Sequence, residues 1–353
     1  FFGLNSTSYI STGKQLFDTA CHIADERGTD EFFVMDENFL KDKTRALELM
    51  EEMDRQKRFF KFNIFSSAEA IADFGPDNLV RLGVNYVWIG VESASEVGNY
   101  TKNKGSDPKA LIKQLRDRGI IVLASGILCM EHHTQENIDI DIDFMVGLES
   151  DFVQFMLLTP LPVTALYRDH QKRGLLRDDL PLEEIHGQKE MGYRHPEFPG
   201  DSAERWIKAA FRRDYEVNSS SMYRVLETSY RGYKHLSSMG PLDTCLTHRL
   251  KEVTNRVRAW APMTPALARH AVNDKERRRA LELGRQIAAD FPPTLVQRAK
   301  SAAIQVLSST WKLRLRLVGD VIQPKTIFTR YPAGARKASA VIEWTAPCKG
   351  VEG

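Results

Sequence analysis

The stretch DPKALIKQLRDRGIIVLASG, residues 107–126, contains a complete helix-to-strand unit. Asp107 and Pro108 are residue types preferred at the N-cap and in the first turn of a helix. Gly119 is suited to ending that helix, because glycine readily adopts the left-handed conformation found after a last turn. Residues 120–126 have the length and composition of a buried strand. The stretch therefore predicts an α/β fold in which helices cover apolar strands.

The same alternation recurs between residues 12 and 158. The other predicted strands are residues 31–35, 59–65, 86–91 and 152–158. The other predicted helices are residues 12–27, 42–57, 77–82 and 134–147. Apolar strands separated by helices indicate a parallel sheet with right-handed crossovers. The spacing fits an open doubly wound sheet and part of a barrel equally well.

The predicted secondary structure changes after Pro162, where the alternation of strands and helices gives way mainly to helices. The predicted domains are an α/β domain at residues 1–164, a helical cap at 165–240 and a basic helical extension at 241–353. Prolines divide residues 242–308 into about three helices, because proline interrupts a helix interior. Residues 311–318 alternate between apolar and polar side chains, which predicts a strand that pairs with residues 340–344.

The net charge of +2 over 353 residues says little about partners, but the charges are unevenly distributed. Residues 1–248 carry 29 basic and 39 acidic side chains, whereas residues 249–316 carry 15 basic and 5 acidic ones. This basic segment suits a membrane surface or another anionic partner, or a solvated helical face docked on the acidic domain. Nucleic-acid binding is not expected, because Trp260 and Phe291 are nearly alone as aromatic side chains that bases stack on.

The cysteine pattern is sparse: the four are Cys21, Cys129, Cys245 and Cys348. Their spacing argues against a disulfide framework and against a local metal site, and reduced thiols in a cytoplasmic protein fit best. No apolar run reaches the roughly 18 residues of a membrane-spanning helix, and no signal peptide begins the chain. Because the first residue is Phe1 rather than Met, we expect the natural start to lie upstream.

Polar side chains follow the predicted strands. These strand-end residues are Asp36, Glu37, Asn38, Ser66, Ser67, Glu92, Ser93, Ser125, Gly126, Thr159 and Pro160. Ligands of parallel α/β folds bind at the carboxyl ends of the strands, so these residues predict a small-molecule site. An acidic residue in such a place is also a common helix N-cap, and that alternative stays open for Asp36.

Four segments together resemble a known group of proteins. They are residues 33–39, 88–93, 126–134 and 154–162, and they resemble, in this order, the strand-end motifs of radical S-adenosylmethionine proteins that carry a cobalamin-binding domain. That group includes the anaerobic Mg-protoporphyrin cyclase and relatives in hopanoid pathways. Residues 194–196 and 210–215 resemble the region that follows the barrel in these proteins. The resemblance covers residues 1 to about 236 and implies five strands of a partial (β/α)6 barrel, followed by a mostly helical extension.

The resemblance also implies a chemistry and the residues that serve it. The cofactors would be S-adenosylmethionine, a [4Fe-4S] cluster and cobalamin held by an upstream domain, with flavodoxin or ferredoxin as the electron donor. Cleavage of S-adenosylmethionine would give a 5′-deoxyadenosyl radical, used for methyl transfer or for ring or skeleton modification of a lipid-like or tetrapyrrole substrate. The cofactor itself carries this chemistry, and the protein orients it.

The matching positions give each strand end a role. Glu92 matches the ribose-binding position, and Asp36, Glu37 and Asn38 match the loop that holds the methionine amino group. Ser125, Gly126 and Ile127 match the strand that lines the adenine and ribose, and Thr159 and Pro160 match the last strand, beside the adenine. Ser66 and Ser93 at the same edge complete the predicted set of cofactor-binding residues.

The sequence departs from the pattern of this group in two respects. The Cys-x3-Cys-x2-Cys cluster loop is absent, and we expect its cysteines upstream of Phe1. Cys129 and Val163 stand where the group often has glycine, which serves a positive φ or a close backbone approach. These departures leave a second hypothesis open, a barrel without catalysis that acts as a binding or assembly subunit. A nucleotide-binding doubly wound protein is disfavoured, because no Gly-x-Gly-x-x-Gly follows a strand.

Four histidines are candidates for metal binding or substrate contact. His132 and His133 are adjacent and point apart in a helix, whereas metal-binding pairs usually sit four residues apart, so loop or cap roles are favoured. His186 and His195 lie in the region that would cap the barrel mouth and are candidates for substrate contact, because histidine exchanges protons near neutral pH.

Overall fold

The computed structural model describes residues 10–92, 107–177, 179–180 and 185–319. Five strands form one fully parallel sheet in the order in which they occur along the chain. They are β1 (Glu31–Phe33), β2 (Lys61–Phe65), β3 (Val84–Glu92), β4 (Ile121–Leu128) and β5 (Phe152–Leu157). Each predicted strand of the α/β region is therefore present, with ends that differ by up to two residues.

Sequential strand order distinguishes a barrel from an open sheet. Right-handed crossovers that always step in one direction place all connecting helices on the same face of the sheet. A doubly wound sheet needs a point where the strand order reverses, and this sheet has none among its five strands. The strands thus form a curled half-barrel with helices outside, which confirms the partial barrel.

The helices complete this architecture. Those between or beside the strands are α1 (Gly13–Arg27), α2 (Lys43–Gln56), α3 (Ala68–Phe74), α4 (Pro76–Leu82), α5 (Pro108–Asp117), α6 (Ile138–Gly147) and α7 (Ala165–Lys172). Those that follow are α8 (Ser202–Asn218), α9 (Ser221–Ser238), α10 (Thr244–Trp260), α11 (Thr264–Arg269), α12 (Asp274–Asp290) and α13 (Leu295–Val318). The described residues after β5 form mainly helices, which agrees with the change predicted after Pro162.

Buried and half-buried side chains alternate along the strands and distinguish the core face of the sheet from its concave face. In β4, Val122, Ala124 and Leu128 are buried, whereas Leu123 and Ser125 between them are half-buried. Successive side chains of a strand point to opposite faces, so the buried set lies under the helices and the other set lines the concave side. The strand-end residues therefore meet at one rim of a half-barrel whose core lies behind it.

A buried carboxylate closes the opposite, amino-terminal end of β4 and β5. Asp151 is fully buried and accepts hydrogen bonds from the Val122 N–H (2.9 Å) and the Thr228 hydroxyl (2.6 Å). The buried Arg116 guanidinium lies 3.3 Å from the same carboxylate and donates to the Glu149 carbonyl at 2.7 Å. Burial raises the pKa of Asp151, and these donors oppose that rise by stabilising the anion.

Helix α9 joins the half-barrel to the helices that follow. Gly232 on α9 approaches so closely that a Cβ there would lie 2.4 Å from the Cα of Gly119, which has a φ of +83°. Leu236 belongs to the core of the half-barrel, whereas Tyr223 and Leu226 pack in a second apolar cluster with α10 and α12. One helix thus contributes to both cores.

Part of the basic segment packs against the strands. Arg256 on α10 donates to the Asn85 side chain and to the Gly119 carbonyl, each at 2.7 Å, and the buried Arg249 donates to the Arg81 carbonyl at 3.2 Å. These contacts favour the docked-helix interpretation for α10. Contact with a membrane surface stays a prediction, and along the described residues no helix is long and apolar enough to cross a membrane.

The predicted strand at residues 311–318 is wrong, because these residues are the last turns of α13. Leu, Lys and Arg are strong helix formers, and this propensity prevails over the short alternating pattern. Residues 340–344, the predicted partner strand, lie outside the described residues. The described residues up to Ser308 form one compact unit, and Ser309 begins a second. The domain boundaries at residues 164 and 240 stay predictions.

We predict that Asp151→Ala lowers the free energy of unfolding by about 3 kcal/mol or more, because it removes the buried acceptor shared by the Val122 N–H, the Thr228 hydroxyl and the Arg116 guanidinium and leaves Glu227 as the one carboxylate beside that guanidinium among the described residues. Urea denaturation measures the change. The matched control is Asp143→Ala, which removes an exposed carboxylate paired with Arg213 at 2.8 Å and should cost less than about 1 kcal/mol. Equal losses in the two variants would contradict a structural role for the Asp151 cluster.

Candidate functional site at the strand ends

The carboxyl ends of the five strands lie along one rim of the half-barrel. Phe65 near the end of β2 pairs with Trp88 of β3, and Gly126 of β4 pairs with Glu92 of β3 and Phe155 of β5. An aromatic row crosses the concave face below this rim, with ring centroids 5.2 Å apart for Phe33 and Phe65 and 4.9 Å apart for Phe65 and Trp88. The fold thus brings the predicted strand-end residues to a common edge.

The loop after β1 is tied to the loop after β2 by side-chain hydrogen bonds. The buried Ser66 hydroxyl donates to Asn38 Oδ1 at 2.8 Å, and Asn38 Nδ2 donates to Ser67 Oγ at 3.1 Å. Asp36 forms an ion pair with the buried Arg45 guanidinium from α2. Each of these predicted cofactor ligands therefore already has a partner within the protein.

Through these contacts Asp36 and Asn38 fix the loop after β1 against α2 and the loop after β2. The N-cap alternative for Asp36 is wrong, because the Asp42 side chain accepts from the Arg45 N–H at 3.0 Å and caps α2. Glu37 is exposed in the same loop and leaves its carboxylate at the rim. Arg45 was not found from the sequence, because nothing in the local pattern links it to a carboxylate nine residues earlier.

The ends of β3 and β4 present small residues. Gly90 pairs with Ser125, and the register then shifts so that Glu92 pairs with Gly126. Ser125 and Ile127 are half-buried on the concave side, and Gly126 is buried. An irregularity of this kind redirects the side chains that follow it and is common next to binding sites. Ser93 lies outside the described residues.

The end of β5 is covered by a later segment. The Leu157 N–H donates to the Gly187 carbonyl at 2.6 Å, and the Thr159 hydroxyl donates to the Leu157 carbonyl at 3.0 Å. Gly187 has a φ of +73°, and a Cβ there would lie 2.8 Å from Thr159 Oγ1. Pro160 is buried just beyond. The chain around Gly187 therefore closes over Thr159, and only glycine fits that approach.

The two histidines predicted near the mouth differ in their surroundings. His186 is exposed, and its Nδ1 accepts from the Gln188 N–H at 3.2 Å. His195 is buried, its Nε2 lies 3.0 Å from the Met130 carbonyl, and its Nδ1 accepts from the Glu197 N–H at 3.1 Å. Burial lowers the pKa of His195 and favours the neutral ring. This geometry favours a structural role for His195, and substrate contact stays a prediction for both.

The adjacent His132 and His133 belong to the loop after β4, as predicted. The buried His133 ring accepts from the Met130 N–H at 2.9 Å through Nδ1, and its Nε2 lies 2.7 Å from the Asp141 carboxylate. The bond to Met130 assigns the proton to Nε2, which then donates to Asp141. Asp141 was not predicted from the sequence, because aspartates and isoleucines alternate in residues 138–142 and this pattern does not indicate which carboxylate is buried.

Cys129 and Val163 both adopt the left-handed backbone conformation, with φ of +54° and +66°. The backbone at these two positions therefore has the geometry for which glycine is the usual residue. A hydrogen bond holds the carbonyl of each, at 2.7 Å from the Tyr193 hydroxyl to Cys129 and at 3.0 Å from Arg168 Nη1 to Val163. Burial raises the pKa of the Cys129 thiol to about 12, which keeps it protonated.

The described part of the rim carries oxygen acceptors of the kind that S-adenosylmethionine needs, but no group of cysteines that could hold an iron–sulfur cluster. The ammonium and ribose hydroxyls of the cofactor need acceptors, and the exposed Glu37 carboxylate is such a group, beside the small residues Gly90 and Ser125 at the ends of β3 and β4. A cluster needs cysteine thiolates. Among the described residues, the two groups of side chains close enough to share a metal ion contain no cysteine.

The chain is similar in sequence to two proteins that are named methyltransferases. No family model matches the chain. The chain is 26% identical over 145 residues to an uncharacterised methyltransferase of Pyrococcus horikoshii, covering 40% of this chain and 32% of that protein. It is 27% identical over 154 residues to the bacteriochlorophyllide d C-8(2)-methyltransferase of Chlorobaculum tepidum, covering 41% and 33%. The similarity thus spans about a third of the length of either curated relative.

Two solved structures of one protein are similar in shape. Both are of the radical S-adenosylmethionine methyltransferase TsrM of Kitasatospora setae. One was determined with cobalamin and a [4Fe-4S] cluster bound, and it matches with a TM-score of 0.47 and 16% identity over 70% of this chain and 55% of that one. The other, with tryptophan and a cofactor analogue, matches with a TM-score of 0.43, 15% identity, and coverages of 69% and 56%.

We predict that Val163→Gly stabilises the protein by about 0.5–1 kcal/mol. Left-handed backbone costs an L-residue roughly 1–2 kcal/mol, and the greater freedom of glycine in the unfolded chain cancels part of that gain. Val163→Ala is the matched control, since alanine keeps the Cβ that causes the strain. The midpoints of urea unfolding compare the three proteins, and a larger gain for alanine than for glycine would contradict backbone strain at this position.

Proposed function

We propose that this chain forms the cofactor-binding half-barrel of a radical S-adenosylmethionine methyltransferase. The observation that carries the proposal is the set of four strand-end segments, which resemble in order those of radical S-adenosylmethionine proteins with a cobalamin-binding domain and which follow neighbouring strands of one parallel sheet. The two curated relatives are named methyltransferases, which favours methyl transfer over ring or skeleton modification.

The rim residues would bind and orient the cofactor. Bound S-adenosylmethionine would supply an activated methyl group on a sulfonium, and the protein would bind and orient it. Glu92 would accept from the ribose hydroxyls and Glu37 from the methionine ammonium, because carboxylates are strong acceptors. The Asn38–Ser66 bonds and the Asp36–Arg45 ion pair fix the loop that presents Glu37. The chain around Gly187 would exclude water from the Thr159 side.

The complete protein would supply the remaining groups. We propose that it uses a [4Fe-4S] cluster, cobalamin and a flavodoxin or ferredoxin as electron donor, with the cluster ligands outside this chain. The substrate is proposed to be apolar or planar, lipid-like or a tetrapyrrole. The aromatic row of Phe33, Phe65 and Trp88 favours such a surface, and Phe33 and Met35 at its edge are 48% and 74% exposed.

The test uses the protein encoded by the complete reading frame, produced without oxygen. We expect Glu92→Gln to weaken binding of S-adenosylmethionine by about 10–100-fold, because a hydrogen bond to a charged group contributes about 1.5–3 kcal/mol. Equilibrium dialysis with the radiolabelled cofactor measures it. Glu26→Gln, which changes an exposed carboxylate on α1, is the matched control and should bind normally.

Two further measurements separate the proposal from its rival. Iron and sulfide content should correspond to about four irons per chain, and labelled methyl should leave the cofactor under reduction. Cofactor binding without iron and without loss of the methyl group would favour the rival, a half-barrel that serves as a binding or assembly subunit. Absence of cofactor binding in the unaltered protein would overturn both the site and the class.

A further inference from the structure

A second cluster of potential ligands lies beside the rim, between the loop after β4 and helix α7. Glu131 comes from the loop, and Asp169 and His170 come from α7. One ligand atom of each residue lies within 4.8 Å of those of the other two. None of the three has a role in binding S-adenosylmethionine as proposed above.

His170 has the features of a metal ligand. Its side chain is completely buried, and its Nδ1 lies 2.9 Å from the Leu166 carbonyl one turn earlier. A carbonyl only accepts, so the proton is assigned to Nδ1 and the lone pair of neutral histidine to Nε2. Nε2 has no hydrogen-bond partner among the described residues and lies 3.8 Å from Glu131 Oε1. Metal-binding histidines characteristically donate their other N–H to a carbonyl or carboxylate in this way.

A cation already lies between the two carboxylates. Arg173 Nη1 is 2.6 Å from Glu131 Oε1 and 2.9 Å from Asp169 Oδ2. The Arg173 side chain is 49% exposed and follows the last residue of α7, so it can turn outwards into solvent. Its position shows that the two carboxylates together attract positive charge. The Arg173 guanidinium does not form a hydrogen bond with the Nε2 of His170.

The neighbouring cluster of His132, His133 and Asp141 differs in this respect. Both ring nitrogens of His133 have partners, the Met130 N–H and the Asp141 carboxylate. A metal ion there would have to displace two short buried hydrogen bonds. The orphaned nitrogen therefore distinguishes the cluster around His170.

We propose that Glu131, Asp169 and His170 bind a divalent metal ion of the zinc type. One imidazole and two carboxylates form a ligand set that suits Zn²⁺ and leaves a position for water. The ion would join the loop after β4 to α7 and would replace the Arg173 guanidinium between the carboxylates. The site does not depend on the function proposed for the rim, because it uses none of the same residues.

The test titrates Zn²⁺ into the metal-free 353-residue chain in competition with a chromogenic chelator. We expect one tight ion per chain, a loss of affinity of at least tenfold in Asp169→Asn and in His170→Ala, and a several-fold gain in Arg173→Gln. The gain follows because the variant removes the competing cation while keeping both carboxylates. His186→Ala is the matched control, since it removes an exposed histidine outside the cluster and should leave the affinity unchanged.

Circular dichroism checks that each variant is folded. Asp169 is exposed and its replacement should be tolerated, so that variant decides the question if His170→Ala does not fold. Wild-type affinity in Asp169→Asn, or weaker binding in Arg173→Gln, would overturn the proposal. Loss of binding in His186→Ala would assign the zinc to the protein surface and would overturn it too. The assay contains no S-adenosylmethionine, so its result is independent of the rim.

Discussion

The buried carboxylate of Asp151 is the constraint on which the half-barrel depends. An ion without solvent is costly unless every lone pair has a donor, and Asp151 finds its donors on β4, α5 and α9 at once. Those donors are correctly placed only when both strands are in register and both helices are docked. The network therefore favours this arrangement of strands and helices over arrangements with a shifted strand register or a displaced helix. The same strands end at the rim, so their register also sets the positions of the rim residues.

The two ends of the sheet carry different networks of polar side chains. At the amino-terminal end, Arg116 binds Asp151, Glu149 and Glu227 and is almost fully buried. At the rim, the Asn38–Ser66 hydrogen bond and the Asp36–Arg45 ion pair fix the loops that follow the first two strands. In barrels the amino-terminal end of the sheet serves stability and the carboxyl end binds ligands, and the roles proposed for the two networks follow that division.

The sequence predicted the elements of the α/β region well, because each strand is a short apolar run bounded by residues that end helices. The spacing of these elements did not distinguish a barrel from an open sheet, since strand order is a property of the whole chain, and the correct prediction of a partial barrel came from the resemblance of the strand-end motifs. Residues 311–318 were predicted wrongly because alternation over eight residues fits a strand and also fits a helix of strong helix formers. Local sequence patterns therefore predicted the individual helices and strands of the α/β region, but they did not predict how the strands are arranged in the sheet.

At the site, the sequence predicted the strand-end residues but not the hydrogen bonds among their side chains. Asp36 and Asn38 stay predicted cofactor-binding residues, and within the protein their side chains contact Arg45, Ser66 and Ser67. Such pairings join residues separated by up to 29 positions, so no spacing rule reveals them. Motif position therefore predicts which loop faces the site, whereas the contacts of each side chain follow from the folded structure.

Cys129 and Val163 show how the rim tolerates sequence change. A β-branched residue disfavours the left-handed conformation, yet Val163 adopts it while Arg168 holds its carbonyl, and Tyr193 does the same for Cys129. The backbone turn at each strand end is therefore imposed by its surroundings rather than by the residue that occupies it. At both positions a residue other than glycine carries the local strain of a backbone conformation that glycine favours. The function proposed for the rim requires first that the strand ends lie side by side, and this departure from the glycine pattern does not change where the backbone runs.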